Sequence, residues 1–213
     1  MKTDTQRIYD FYQHYTQVHG TSTGWSSLDY ALRLYDLSSS CPHQPWTELT
    51  SILDIGSGEG HFKDFLRTKH QFKGHYTGIE VVPEFHTTAL AKYGDDAQTT
   101  FIDGEFLTHD FDTNKFDWVF SLGSLSVLQP NQAKYDEFFC KKMRALARYG
   151  TTIYLNDATL TCALSLQNVK HLATHNIDDF VHMLRQNFSP AVIEIHRLLP
   201  VAPQGVIIHV RFL

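Results

Sequence analysis

Ser51-Ile52-Leu53-Asp54-Ile55-Gly56-Ser57-Gly58-Glu59-Gly60 decides the fold of this chain. An apolar run ends in an acid, and glycines follow at every second position. The pattern predicts a buried strand, Ser51–Ile55, feeding a tight loop with no bulky side chains in the way. Glycine opens backbone conformations closed to other residues, and the helix behind such a loop turns its unpaired N–H groups toward the same space. The next apolar run, Tyr76-Thr77-Gly78-Ile79, ends in another acid, Glu80. A carboxylate at the tip of the neighbouring strand can hold a ribose diol through two hydrogen bonds. Together the two stretches describe a pocket for an adenosine-containing cofactor.

Outward from this loop the chain alternates. A helix is expected from about Gly60 to Thr68, a strand over His75–Glu80, and a helix from Pro83 to Tyr93, with proline suited to a first helical turn. Strands follow at about Thr99–Ile102 and Asp117–Ser121, a long helix at Gln132–Tyr149, a strand at Thr151–Leu155 and a helix at Ile177–Asn187. The last two strands, Ala191–His196 and Val206–Val210, have no helix between them and pair as an antiparallel hairpin. Strand–helix units give an α/β, Rossmann-like, doubly wound, mostly parallel sheet of seven strands, finished at one edge by the hairpin. Before it, Thr5–Leu37 is helical by spacing, broken by the loop His19–Trp25. Residues 1–48 are expected to form a helical cap or lid, and residues 49–213 the cofactor-binding core of a single domain.

Composition narrows the class. The chain has 213 residues, 42% hydrophobic and 19% charged, the balance of a globular domain with a real core. No apolar run approaches the roughly 20 residues that span a bilayer. The N-terminus, Met1–Arg7, is polar with no apolar signal core after it, so a cytoplasmic protein is expected. Cys41, Cys140 and Cys162 are far apart and odd in number, which fits reduced packing thiols. The net charge of −5 argues against nucleic acid. Lys141, Lys142, Arg144 and Arg148 read as one solvated helical face. His171 and His175, four apart, with His182 beyond, are at a spacing that serves metals on a helix. No acid or cysteine pattern completes a site there, so we expect surface histidines and no metal.

The pattern resembles the class I S-adenosylmethionine-dependent methyltransferases from about Ser51 onward. Asp54–Gly60 is similar to that family's first motif. Gly104-Glu105-Phe106 is similar to its Gly–acid–apolar element after the third strand, and Phe116–Ser121 to its fourth strand. The terminal hairpin resembles its reversed last strand. A dinucleotide loop would carry a third glycine where His61 stands. The resemblance implies that Gly56, Ser57 and Gly58 cradle the methionine part of S-adenosylmethionine and that Asp54 reaches its ammonium. It implies that Glu80 binds the ribose, Glu105 and Phe106 the adenine, and Ser121 and Gly123 the methyl-donor end. Gly60 has a second reading, relief of crowding between strand and helix. Asp103 competes with Glu105 for the adenine if the register shifts by two, and Phe106 has a second reading as plain core.

The acceptor is less legible. No Asn/Asp-Pro-Pro-aromatic element follows the fourth strand, where Ser121-Leu122-Gly123-Ser124-Leu125 stands instead. This argues against amino methylation of DNA bases, and no cysteine is placed to attack a pyrimidine carbon. The fold puts the acceptor over the C-terminal edge of the sheet, so the candidates are Tyr12, Tyr15, His19, Trp25, Ser121, Ser124, Asn156 and Asp157. His19 and Asp157 are the candidates for a catalytic base. Each has a bland alternative: a surface loop for His19, and a cap for Asn156 and Asp157. A short, acidic chain with no added recognition domain favours a small-molecule acceptor, then a protein or peptide, then RNA. A cofactor-binding module without turnover is the non-enzymatic alternative.

Overall fold

The computed structural model describes residues 4–19, 25, 27–40, 46–113, 115–160, 171–200, 202 and 204–213. Cys41, Cys162 and the loop between Gly20 and Gly24 lie outside the described residues. Two helices, α1 (Asp4–His19) and α2 (Leu28–Ser39), precede β1 (Ser51–Ile55). There follow α3 (His61–His70), β2 (His75–Glu80), α4 (Pro83–Tyr93), β3 (Thr99–Asp103) and β4 (Phe116–Ser121). The chain ends with α5 (Gln132–Leu146), β5 (Ala147–Asn156), α6 (Ile177–Phe188), β6 (Ala191–Arg197) and β7 (Gly205–Phe212).

The seven strands stand in the order β3-β2-β1-β4-β5-β7-β6. The first five run parallel, and β7 lies antiparallel between β5 and β6. The chain works outward from β1 to β3, then returns across β1 to β4. Helices therefore leave opposite faces on the two sides of β1, and a crevice opens beyond the C-terminal tips at the reversal.

Both faces of the sheet are covered. Every residue of β4 is buried, and its alternation feeds two cores. Trp118 and Phe120 pack with Leu34 of α2 and Leu66 of α3 on one face. Val119 packs with Phe139 of α5 and Leu184 of α6 on the other. Gly150 is a packing requirement, because a Cβ there would come within 2.5 Å of the Trp118 ring and the Val210 carbonyl.

The elements follow the sequence pattern with one shift. The helix expected to reach Tyr149 ends at Leu146, and Ala147 already pairs with Phe116 in the sheet. The basic helical face breaks up accordingly. Arg148 belongs to β5 and pairs with the Asp117 carboxylate at 3.1 Å. Lys142 donates to the Leu107 and His109 carbonyls. The surface-histidine expectation also needs correction. His171 takes a left-handed backbone outside any helix, and His175 is 5% exposed. The His175 Nε2 sits 3.2 Å from Asp136 Oδ2, a buried acid on α5. Spacing alone did not reveal it, because the partner is far away in sequence.

Candidate cofactor cleft and acceptor face

The glycine loop joins β1 to α3 through its own backbone. The Gly56 and Ser57 N–H groups both donate to the Ile79 carbonyl at the end of β2, at 2.8 and 3.2 Å, which pulls the loop across the strand tips. Gly56, Gly58 and Gly60 have φ of +72°, +55° and +82°, a region that L side chains rarely adopt. Their surroundings differ. A Cβ on Gly60 would meet the rings of Tyr93 and Phe101 at 2.8 and 3.0 Å, so this glycine relieves crowding between helix and sheet. A Cβ on Gly58 would meet nothing within 4 Å. That bare backbone faces a cleft.

The cleft is narrow, about 60 Å³. Gly56, Gly58 and Ser124 form one wall, and Glu80, Val81 and Phe85 another. Gly104, Glu105 and Phe106 close a third side, backed by Tyr135 and Phe139 of α5. Ile8 and Tyr12 of α1 line it as well. Of the residues expected at the cofactor, Gly56, Gly58, Glu80, Glu105 and Phe106 share this lining. Asp54, Ser57 and Ser121 are buried and are not part of it. Ser57 packs down on β2, where a Cβ at Gly78 would come within 2.6 Å of its hydroxyl. Glu105, not Asp103, lines the cleft.

Glu80 is the most constrained group. It is 4% exposed, and its carboxylate accepts three main-chain N–H bonds: Gly58 at 2.8 Å on Oε2, and Val81 and Val82 at 2.9 and 2.8 Å on Oε1. Burial raises its pKa, and those three bonds oppose the rise. Three donors leave acceptor capacity on a two-oxygen carboxylate. Asp54, at the tip of β1, is 2% exposed and accepts from the Tyr76 hydroxyl. Burial pushes its carboxyl up to about 7, the Tyr76 bond opposes, and the Glu80 charge adds to the rise. Glu105 is half-buried and accepts from the Thr108 hydroxyl at 3.1 Å. Phe106 is both core and cleft wall, with its ring 4.7 Å from that of Phe139.

The residues expected at the acceptor gather in part beside Ser124. A Cβ on Gly123 would lie 3.4 Å from the Trp25 ring and 3.9 Å from the Tyr12 hydroxyl. Trp25 stacks on Tyr30 and meets Tyr154 edge-on. The Tyr30 and Tyr154 hydroxyls are 2.7 Å apart, and Tyr154 donates to Asn156 Oδ1 at 2.8 Å. The Asn156 amide donates in turn to Ser126 Oγ and the Ala173 carbonyl. Asp157 caps a turn, accepting from the Thr159 N–H and hydroxyl, and pairs with Arg197 at 2.7 Å. Burial would raise its pKa, but Thr159 and Arg197 outweigh it and hold the carboxyl low. His19 closes α1, and its side chain lies outside the described residues.

Sequence reasoning missed Ile8, Val81, Phe85, Tyr135 and Phe139 as cleft residues. Val81 had a signal, since it follows the strand-tip acid. Tyr135 and Phe139 stand four apart on a helix, a pattern that core packing produces equally well.

Fold and cleft together define a class I S-adenosylmethionine-dependent methyltransferase architecture. Residues 52–150 match the family model of a methyltransferase domain. A similar solved structure is magnesium protoporphyrin IX methyltransferase from Synechocystis PCC 6803 with bound SAH, at 14% identity and TM-score 0.75, covering 99% of this chain and 100% of that one. The methyltransferase in complex with the Trm112 activator from Haloferax volcanii has 15% identity and TM-score 0.69, covering 96% of each chain. Phosphoethanolamine N-methyltransferase 2 from Haemonchus contortus, in complex with S-adenosyl-L-methionine, has 14% identity and TM-score 0.69, covering 95% of this chain and 59% of that one. No curated protein matches the chain by sequence. Among the described residues, no helix is long and apolar enough to cross a membrane.

Proposed function

We propose that the cleft binds S-adenosylmethionine and that the chain transfers its methyl group to a small-molecule acceptor. The observation that carries this reading is the bare Gly58 backbone bonded to Glu80, with Glu105 in the same lining. Glu80 would accept from the ribose hydroxyls, Glu105 from the adenine amino group, and Val81 and Phe106 would hold the adenine between apolar walls. Gly56, Ser57 and Gly58 would pass the methionine part along the loop, with the Asp54 carboxyl beneath it and Ser121 behind the methyl-donor end.

The cofactor brings an activated methyl group, so the chain's own task is alignment of the acceptor behind that carbon. Tyr12, Trp25 and Ser124 surround the space beside Gly123 and would set that direction. Asp157 is held ionised by Arg197, which suits a cap better than a base, and His19 stays the candidate base. The net charge of −5 supports a small acceptor over nucleic acid. The buried thiol of Cys140 suits a cytoplasmic setting.

The narrowness of the cleft supports a lid role for α1. Sites for drug-sized ligands hold about 300–1,000 Å³, and Ile8 and Tyr12 of α1 line this smaller space. Helix α1 rests on the cleft's surroundings: the Tyr9 hydroxyl donates to Glu84 at 3.0 Å, Ile8 and Phe11 pack on Val127, and Tyr12 meets the Phe85 ring edge-on. Binding would swing α1 outward and back. Calorimetry with S-adenosylmethionine and with its demethylated product tests the reading, followed by methyl loss against a metabolite extract. No heat with either compound overturns it. Binding without methyl loss favours the non-catalytic module.

A further inference from the structure

A second cavity, of about 680 Å³, lies between α5 and the segment after β3. Its volume falls in the range of small-molecule sites. Leu107, Pro130 and Phe138 make its apolar surface. Phe138 is 55% exposed, a large apolar group standing in water. Among the described residues, every charged group of the lining is a lysine: Lys134, Lys141 and Lys142. That concentration of one sign contrasts with a chain of net charge −5. Lys142 is fixed by the Leu107 and His109 carbonyls at 3.0 and 2.5 Å. Lys141 pairs with Glu137, but both are about half exposed, and such pairs contribute little in water. Lys134 makes no ion pair among the described residues and lies 5.7 Å from the Phe138 ring centre. Gln129 also lines the cavity. It is 4% exposed, and its side-chain amide has no hydrogen-bond partner among the described residues, a cost that a bound group would relieve.

We propose that this cavity binds a small amphipathic anion, with an apolar body against Leu107 and Phe138 and a carboxylate, sulfonate or phosphate against Lys134 and Lys141. The site is separate from the cofactor cleft but shares Tyr135 with it. Lys142 also sits over Phe106, a cleft residue, at 5.3 Å. An occupant therefore presses on the adenine wall and acts as an effector. This last step rests on the cleft reading above, whereas the binding site itself does not.

The test is a fluorescence titration of the full chain with anilinonaphthalene sulfonate, without cofactor, beside the uncharged phenylnaphthylamine. We expect saturable binding of the anion and weaker binding of the neutral dye. Lys134→Glu should weaken the anion by about tenfold, the scale of one charge reversed at a half-wet site. Phe138→Ala should weaken both dyes by about threefold or more. Both side chains are exposed, so thermal midpoints should not move. Unchanged anion affinity in the two folded variants overturns the site, and so does full displacement of the dye by S-adenosylhomocysteine, which would place it in the cofactor cleft. Partial, reciprocal weakening by S-adenosylhomocysteine supports the effector role. If that compound does not bind at all, the cleft reading fails while the dye titration still decides the anion site.

Discussion

The two ends of the sheet each carry a buried carboxylate that gathers several donors, and they use it differently. At the N-terminal end, Asp117 of β4 accepts from the Thr50 N–H, the Thr50 hydroxyl and the Ser51 N–H at 2.7, 2.8 and 3.2 Å. Arg148 completes that cluster. Burial would raise the Asp117 pKa, but the Thr50 bonds and Arg148 outweigh it and hold the group low. At the C-terminal end, Glu80 also takes three N–H bonds, but no cation pairs with it among the described residues, and its pKa is raised. The same device therefore closes a strand junction at one end. At the other it leaves a negative charge, without a counter-ion, facing a cleft. One carboxylate is tied to a side-chain cation, and the other is held by main-chain donors alone with acceptor capacity to spare.

Substitutions at the cleft should cost binding before stability. The largest effect belongs to Gly58→Val. A branched side chain there enters the cleft, and the φ of +55° adds strain of about 1–2 kcal/mol. Calorimetry should show no cofactor binding while the circular dichroism spectrum stays native. Full affinity would place the ligand elsewhere and break the comparison at once.

Asp54 gives the next largest effect, read as pH dependence. Its folded pKa of about 7 lies above the ordinary carboxylate value. From about pH 4 to about pH 7 the folded chain holds a proton that the unfolded chain has lost, so stability falls as pH rises through that window. At roughly 1.4 kcal/mol per unit the upper bound is on the order of 4 kcal/mol. His61 and His70, lowered mainly by burial, slope the other way in part of that window. The measurement is therefore the difference between native chain and Asp54→Asn. Denaturant midpoints of the native chain should drop relative to the variant between about pH 4 and about pH 7, the ends of that window. A constant difference across that range would place the carboxylate in a less costly setting. Glu80→Ala comes third. It should weaken the cofactor by about 1.5–3 kcal/mol, the scale for hydrogen bonds to a charged group. An effect within assay error would mean that another residue holds the ribose.

How much of this was legible depended on whether a residue's task is set by its neighbours in sequence. The glycine loop, Glu80 and the terminal hairpin were legible, because tight turns, strand tips and short connections are local. Glu105 was placed by its element after β3, and the cleft lining separates it from Asp103. Long-range partnerships were not legible. Arg148 looked helical until Ala147 paired with Phe116, and His175 looked exposed until Asp136 of α5 came beside it. That Ile8 and Tyr12 of α1 line the cleft was equally hidden, since amphipathic spacing says which face is apolar and not what it covers.

The smallest effect sharpens the comparison most. Arg148 is 48% exposed beside an almost fully buried Asp117. Its bond to the carboxylate is partly screened by water, so Arg148→Ala should cost less than about 1 kcal/mol. Asp117 keeps its three donors from Thr50 and Ser51, which hold β1 against β4 without help from the guanidinium. Chemical denaturation should therefore show a small drop in midpoint, and cofactor affinity should not change at all. A loss of several kcal/mol would mean that the N-terminal end depends on its cation. The two carboxylates would then differ in kind: one held by an ion pair and the other by main chain alone.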